Sequence, residues 1–207
     1  TELDVYKRIA NSPHHHPGRS ALRSLLDSFE VNTLKGSHRC LVHAPLWDSA
    51  LNIKYRNPVR RLPQPVMAFL LKRLFLALEL LHRECHVAHT DIKEANILLP
   101  ADASVLKQFE NRELEEPSPK KEVEGGGVIY LSREMGTPIT FGAPVLCDFG
   151  SAVPLDDGVE HREDIQPDIY RAPEVILDIP WTYSVDIWNV GCMVSTIQRE
   201  VIDLCQL

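Results

Sequence analysis

The sequence predicts an α+β fold in which strand-forming segments near the N-terminus precede mainly helical chain. Two apolar, β-compatible runs, residues 21–31 and 39–46, flank a turn-like segment around Gly36, and this arrangement predicts an antiparallel hairpin. Residues 65–85 are apolar nearly all round at helical length, which predicts a helix buried in the core. A second core helix is predicted over residues 184–198.

The composition limits the classes of protein to consider. The chain has 207 residues, of which 44% are hydrophobic and 25% charged. This composition is typical of a globular chain, either one domain or a large piece of a bigger one. A net charge of −7 argues against direct nucleic-acid binding and leaves room for a basic partner. No charge-free apolar run approaches the length of a membrane span, so we expect no membrane insertion. The odd number of cysteines, five without a Cys-x-x-Cys pair, predicts reduced thiols and a cytoplasmic or nuclear location.

The remaining elements follow in chain order. Residues 2–10 place Leu3, Tyr6 and Ile9 on one face at helical spacing, which predicts a short helix. Residues 101–124 hold seven acids and a Pro-Ser-Pro sequence, and a glycine triplet follows at 125–127. This composition predicts a linker-like insertion over about 101–140, with a short strand at 127–132. Residues 143–150 predict an apolar strand that ends in a turn.

Three short motifs carry the chemistry. They occur in the order His89-Thr90-Asp91 followed by Lys93 and Asn96, then Asp148-Phe149-Gly150, then Ala172-Pro173-Glu174. Each motif alone is weak evidence, but the three in this order and local setting form a specific signal.

Residue by residue, the motifs suit phosphoryl transfer, which needs a positioned hydroxyl, metal ions on the phosphates and compensation of negative charge. Asp91 can accept a hydrogen bond from an incoming hydroxyl, and Lys93 can neutralise the transferring group. Asn96 and Asp148 offer the oxygen ligands that suit Mg²⁺ shared with phosphates. The alternative reading is structural: Asp91 and Asn96 cap a turn, and Asp148 ends a strand.

The wording of these segments resembles the eukaryotic protein kinases. HTDIKEANILL (89–99), EDIQPDIYRAPEV (163–175) and CLVHAPL (40–46) are similar to the serine/arginine-rich (SR) protein kinases, of a fungal type. The resemblance covers about residues 2–197, apart from the insertion. It implies an incomplete kinase-like fold. Residues 1–46 would be a partial N-lobe and hinge, with helix C and a hairpin, and residues 47–207 a partial C-lobe containing the insertion.

The resemblance also implies a nucleotide site. Glu2 matches the helix-C glutamate that pairs with an ATP-holding lysine, and His43 matches the gatekeeper. Ala44 and Leu46 would supply hinge backbone groups for adenine, and Leu98 would pack beneath the ring. Cys147 would line the pocket, although a small buried apolar residue is the simpler interpretation.

Further residues match structural positions of the family. His89 and Phe149, with Tyr6 and Leu25, match a stacked apolar column between the lobes, although simple core packing explains the same residue types.

Asp186 matches a carboxylate that accepts backbone N–H groups of the catalytic loop. Gly150 completes its motif. Tyr170, Arg171 and Glu174 belong to a segment that shapes a peptide-substrate site, and we expect Glu174 to lack a partner in this chain.

The resulting hypothesis is a fragment of a monomeric serine/threonine protein kinase. It would use ATP and Mg²⁺ to phosphorylate serine in basic Arg/Ser-rich proteins. The acidic residues between 155 and 169 would attract such substrates, unless they are simply a solvated loop. No Gly-rich loop or strand lysine precedes Glu2. We therefore expect the chain to be a fragment of a kinase domain, and without these parts the fragment alone could be inactive. A catalytically silent kinase-like scaffold and a small-molecule phosphotransferase are the alternatives.

Overall fold

The computed structural model describes residues 1–33, 36–123, 127–133, 135–136, 138, 140–156 and 158–198. The helices are α1 (Glu2–Asn11), α2 (Ala50–Arg56), α3 (Gln64–Arg83), α4 (Ala103–Glu115), α5 (Pro173–Ile176) and α6 (Ser184–Gln198). The strands are β1 (Leu25–Thr33), β2 (Gly36–His43), β3 (Leu46–Ser49), β4 (Val87–Ala88), β5 (Ile97–Pro100), β6 (Lys120–Val123), β7 (Gly127–Tyr130), β8 (Val145–Leu146) and β9 (Val153–Pro154). Short 3-10 turns cover Pro17–Ala21, Glu94–Asn96 and Asp168–Tyr170.

The strands form small antiparallel sheets. Strands β1 and β2 make the predicted antiparallel hairpin, in which Thr33 pairs with Gly36. Strands β3, β5 and β8 form a three-stranded sheet in that order, and β4 pairs with β9. The loop after β4 carries the first motif, and the loop after β8 carries the second. The short sheets therefore position both loops. The α+β architecture with small sheets fits a kinase-like fold.

Helix α3 is the centre of the core. Its buried residues are Met67, Leu70, Leu74, Ala77, Leu78, Leu80 and Leu81, and they pack with α1, β8 and α6 in one hydrophobic cluster. The prediction of a core helix is therefore confirmed along this face. The opposite face differs from the expectation, because Phe69 and Phe75 remain 49% and 48% exposed.

The 3-10 turn Pro17–Ala21 packs closely on α3. Gly18 is buried at this contact, and a Cβ atom there would collide with the backbone carbonyl oxygen of Leu76 and lie 2.8 Å from Leu80 Cβ. Arg73 of α3 donates hydrogen bonds to Ser20, including one of 3.0 Å from Nη1 to Oγ. The close approach and these bonds fix the segment that leads from α1 into β1.

The insertion has more regular structure than its composition predicts. Asp102 is the N-cap of helix α4, and its Oδ1 accepts the Ser104 N–H at 2.9 Å. Oδ2 of Asp102 accepts the Thr140 N–H at 2.8 Å and so joins the two ends of the insertion. These hydrogen bonds lower the pKa of Asp102. The expected short strand is β7, paired with β6, whereas Glu124 and the glycines at 125 and 126 lie outside the described residues.

Of the helices in the described part of the chain, none combines the length and the apolar character needed to cross a membrane.

Replacing Gly18 tests the packing of the first 3-10 turn on α3. We expect Gly18→Ala to destabilise the protein by about 1–3 kcal/mol or more, because the added methyl group overpacks a contact with helix backbone. Gly191→Ala is the matched control, since a Cβ at Gly191 meets no described atom within 4 Å and alanine should stabilise α6 by up to about 1 kcal/mol. Urea unfolding of the three proteins measures both changes. Equal stability of Gly18→Ala and wild type would contradict the packing.

Candidate active site

The loop between β4 and β5 brings three of the predicted catalytic residues together. Lys93 Nζ lies 2.9 and 2.7 Å from the two carboxylate oxygens of Asp91. Asn96 Nδ2 donates to the Asp91 backbone carbonyl and to Asp91 Oδ2, both at 2.9 Å. The carboxylate of Asp91 is therefore held by a cation and an amide, while 14% of its side chain remains exposed.

Asp148 follows β8 on a neighbouring chain segment. The Cys147 N–H donates to the Asn96 carbonyl at 2.9 Å, so Asp148 lies directly beyond a hydrogen bond to the Asn96 loop. Its side chain is exposed, and Oδ1 accepts the Gly150 N–H at 3.3 Å. The structure thus places the second motif beside the first.

The donor set at this point fits Mg²⁺. Both hydrogen bonds of the Asn96 amide go through Nδ2, so the amide orientation leaves Oδ1 as a candidate ligand. Asp148 contributes an exposed carboxylate. An amide oxygen with a carboxylate is a small set of hard ligands, which suits a magnesium ion that also binds phosphates.

Asp186 of α6 organises the start of the loop. Its carboxylate is fully buried and accepts the backbone N–H groups of His89 and Thr90, each at 2.8 Å. His82 Nε2 of α3 lies 2.7 Å from Asp186 Oδ2. Thr90 has a φ of 65°, which is uncommon for a β-branched residue, and its N–H bond to Asp186 holds that conformation. Asp186 therefore fixes the backbone at the start of the loop that carries Asp91.

Thr90 also connects the two motif loops. Its Oγ1 donates to the Ser151 carbonyl at 2.7 Å. His89 Nε2 lies 3.1 Å from the Cys147 carbonyl oxygen, which requires a proton on Nε2, and Nδ1 then accepts the Asp91 N–H at 3.3 Å. The segment around Asp148 is therefore fixed to the segment around Asp91 by side chains of the first motif.

Aromatic rings connect α1 with these loops. Phe149 is fully buried, and its ring lies 5.2 Å from that of Tyr6 and 5.4 Å from that of His89, both edge to face. Tyr6 also contacts His43 at 5.1 Å, while Leu25 packs at the border of the same core. Burial raises the pKa of Tyr6. The structure brings together the rings of the predicted column.

The residues predicted for the nucleotide lie around the connection from β2 to β3. His43 ends β2, Ala44 is exposed in the link, and Leu46 begins β3. Leu98 pairs with Ser49 on one side and Val145 on the other, in the middle of the three-stranded sheet. Glu2 begins α1 and has no ion-pair partner among the described residues.

Cys147 is buried beside the Asp148 loop. Burial raises the pKa of its thiol to about 11, so the thiol is protonated at neutral pH. This favours the simple interpretation of Cys147 as a small apolar residue over a reactive one.

The segment of the third motif is fixed to α6. Asn189 Nδ2 donates to the Tyr170 carbonyl at 2.7 Å, and Arg171 pairs with Asp168 at 2.9 Å and Asp164 at 3.2 Å. The expectation that Glu174 lacks a partner is wrong. Its side chain is only half-buried, and Oε1 accepts the Ser184 hydroxyl at 2.9 Å, so the cost of burying an unpaired carboxylate does not arise.

Sequence reasoning missed two buried groups that support the site. Lys54 of α2 pairs with Glu94 of the catalytic loop at 2.5 Å, with only 7% and 2% of the side chains exposed. Asn189, fully buried in α6, accepts the Ile92 N–H at 3.4 Å in addition to its bond to Tyr170. A polar residue one helical turn after Asp186 in an apolar helix was the available signal for Asn189. No local pattern pairs Lys54 with Glu94.

Comparison with known proteins finds serine/threonine protein kinases. The chain is 40% identical over 196 residues to a serine/threonine protein kinase of Aspergillus fumigatus, covering 93% of this chain and 46% of that protein. It is 28% identical over 191 residues to the serine/threonine-protein kinase SRPK of Physarum polycephalum, covering 82% and 43%. It is 31% identical over 109 residues to protein kinase dsk1 of Schizosaccharomyces pombe, covering 53% and 20%. The homologues of this chain are serine/threonine protein kinases.

These matches define the extent of the similarity. No family model matches the chain. The chain spans less than half of the length of these curated relatives. Kinase homologues imply the use of ATP and Mg²⁺ in general.

Breaking the Lys54–Glu94 pair tests the support of the catalytic loop. Lys54→Met leaves a buried carboxylate whose Oε1 has no hydrogen-bond partner among the described residues, so we expect a loss of about 3–5 kcal/mol. Adding Glu94→Gln removes the unpaired charge and should recover most of that stability. Chemical unfolding of the wild type, the single variant and the double variant measures these free energies of unfolding.

The matched control removes an exposed pair. Arg39 and Glu30 pair on the hairpin with about half of each side chain exposed, and Arg39→Met should cost less than about 1 kcal/mol. If Lys54→Met were as mild as Arg39→Met, the buried pair would not support the loop.

Proposed function

We propose that this chain is the catalytic part of a serine/threonine protein kinase that phosphorylates serine in basic, Arg/Ser-rich proteins. The observation that carries the proposal is the hydrogen-bonded cluster of Asp91, Lys93 and Asn96 beside the exposed carboxylate of Asp148. The alternative of a turn cap leaves the cation on Asp91 and the adjacent Asp148 unexplained.

The cluster can perform the chemistry with little movement. Asp91 would accept the proton of the attacking hydroxyl, and Lys93, already at 2.7 Å, would compensate the charge of the transferring phosphoryl group. Asn96 and Asp148 would hold Mg²⁺ on the phosphates of ATP. Glu2, His43, Ala44, Leu46, Leu98 and Cys147 would surround the rest of the nucleotide.

In this proposal the chain comprises parts of both kinase lobes. Residues 1–46 form a partial N-lobe with the hinge, and residues 47–207 form part of the C-lobe. The protein would act as a monomer in the cytoplasm, the nucleus or both.

The preference for a basic substrate is supported by the charge of the segment before the third motif. Glu160, Asp164 and Asp168 have side chains that are 75%, 77% and 89% exposed, and Asp156 pairs with Arg8 at 2.7 Å. Asp157 lies outside the described residues. Exposed carboxylates beside a peptide site attract arginine-rich chains. A relative named SRPK is consistent with such substrates.

Phosphoryl transfer to a peptide of Arg-Ser repeats tests the activity. Because the chain alone could be inactive, the assay uses a longer protein that contains this chain; we expect it to transfer label from γ-labelled ATP to serine in the presence of Mg²⁺, and Asp91→Asn to lower kcat by about 10²–10⁴-fold. Glu110→Gln, an exposed change on α4, is the control that should leave the rate unchanged. Calorimetric titration with Mg²⁺-ATP, repeated with Asp148→Asn, measures nucleotide binding separately. Binding without labelled serine would favour the catalytically silent scaffold instead.

A second prediction addresses substrate charge. The double variant Glu160→Gln with Asp164→Asn removes two exposed charges, while Arg171 keeps its pair with Asp168. We expect KM for the Arg-Ser peptide to rise several-fold with kcat unchanged, and the effect to shrink in 0.5 M salt, because exposed charges are screened. Steady-state kinetics at two salt concentrations measure this. An unchanged KM would mean that the acidic segment is only a solvated loop.

A further inference from the structure

A cavity of about 410 Å³ lies between α1 and the segment that leads from the first 3-10 turn into β1. It is separate from the catalytic cluster. Its lining includes the apolar side chains of Ile9, Leu22 and Leu25 and the basic side chains of Lys7, Arg19 and Arg23. Three cations therefore line one concave surface in a chain with a net charge of −7.

Two of the three cations already have partners. Arg19 Nη1 donates to backbone carbonyls at the end of α1, including that of Ile9 at 2.6 Å, so its charge compensates the negative end of the helix. Lys7 pairs with Asp4 at 3.0 Å on the exposed surface. Neither residue therefore presents a fully uncompensated charge to the cavity.

Arg23 differs from both. Its backbone N–H donates to the Leu146 carbonyl at 2.9 Å, which fixes the residue, and its side chain is half-buried. Within the described part of the chain, no group pairs with the guanidinium, and Nε is enclosed without a hydrogen-bond partner. A half-buried cation without a partner among the described residues attracts an anion, and because Nε is enclosed, such a ligand would bind the terminal amino groups of the guanidinium.

We propose that this cavity binds a phosphate monoester, with Arg23 as the principal ligand and Lys7 as the second cation. A guanidinium matches the oxygens of phosphate in a bidentate arrangement, and a phosphate monoester carries about −1.5 to −2 charges at neutral pH. The volume exceeds that of the anion alone, and the apolar wall can contact the residues next to a phosphoserine. The same phosphate chemistry could come from a phosphorylated peptide or from free phosphate.

Binding here would act on α1. Tyr6 lines the cavity, and its ring contacts Phe149 of the second motif at 5.2 Å. A ligand at Arg23 would therefore contact the helix that packs against the Asp148 loop.

Titration of the 207-residue chain tests the site directly. The probes are inorganic phosphate, a blocked Leu-phosphoserine-Leu peptide and the same peptide without phosphate, followed by calorimetry and NMR at low salt. We expect the phosphopeptide to bind, the unphosphorylated peptide not to bind, and Arg23→Gln to weaken binding at least tenfold. Arg23→Lys keeps the charge but not the bidentate geometry and should show an intermediate loss.

The controls separate this site from general charge effects and from folding. Arg39→Gln removes an exposed arginine elsewhere and should leave binding unchanged. Arg23→Gln should keep the wild-type unfolding temperature, because the side chain loses no described partner. Tighter binding of the phosphopeptide than of phosphate identifies a peptide site, and equal binding identifies a free-anion site. Failure of both phosphate probes, or equal binding to Arg23→Gln, overturns the proposal. Neither probe requires phosphoryl transfer, so this outcome is independent of the kinase test.

Discussion

The buried carboxylate of Asp186 is the group on which the candidate active site depends. The loop that carries Asp91 has no regular hydrogen-bonding pattern at its start, and its buried N–H groups need acceptors. Asp186 supplies two of them from α6, to His89 and Thr90, and a buried carboxylate makes stronger hydrogen bonds than a neutral acceptor. Because Asp91 follows directly, the position of this loop residue is set by a residue on helix α6.

The rest of the loop repeats this arrangement. Thr90, Ile92 and Glu94 are almost fully buried, whereas the intervening Asp91 and Lys93 are partly exposed. Each buried residue is held by a separate helix-borne group: Asp186 holds Thr90, Asn189 accepts the Ile92 N–H, and Lys54 pairs with Glu94. One side of the loop is therefore bound to the helices, and the other side carries the partly exposed Asp91 and Lys93. Helices α2 and α6 thus position a loop that local interactions alone would not hold.

Periodicity predicted the long elements well, since α1, α3 and α6 and the β1–β2 hairpin lie close to their expected ranges. It failed in the insertion, where acids, prolines and glycines indicated a linker. Helix α4 forms there, and Asp102 both caps it and binds Thr140 at the far end. Composition could not reveal that contact, because it joins residues 38 positions apart. The partner of Glu174 was missed for a similar reason, since Ser184 becomes its neighbour only when α5 meets α6.

The sequence by itself determined which residues can perform chemistry, because the contacts of Asp91 with Lys93 and Asn96 span only two and five positions. Short spacing on one loop lets residue types and order predict a cluster. The tertiary structure alone decided how that cluster is held and what surrounds it. Asp186 reaches Thr90 across 96 positions, and Lys54 and Glu94 meet only when α2 packs on the loop. The physical reason is burial: a buried charge requires a partner, and chain packing, rather than the local pattern, determines which distant residue becomes that partner.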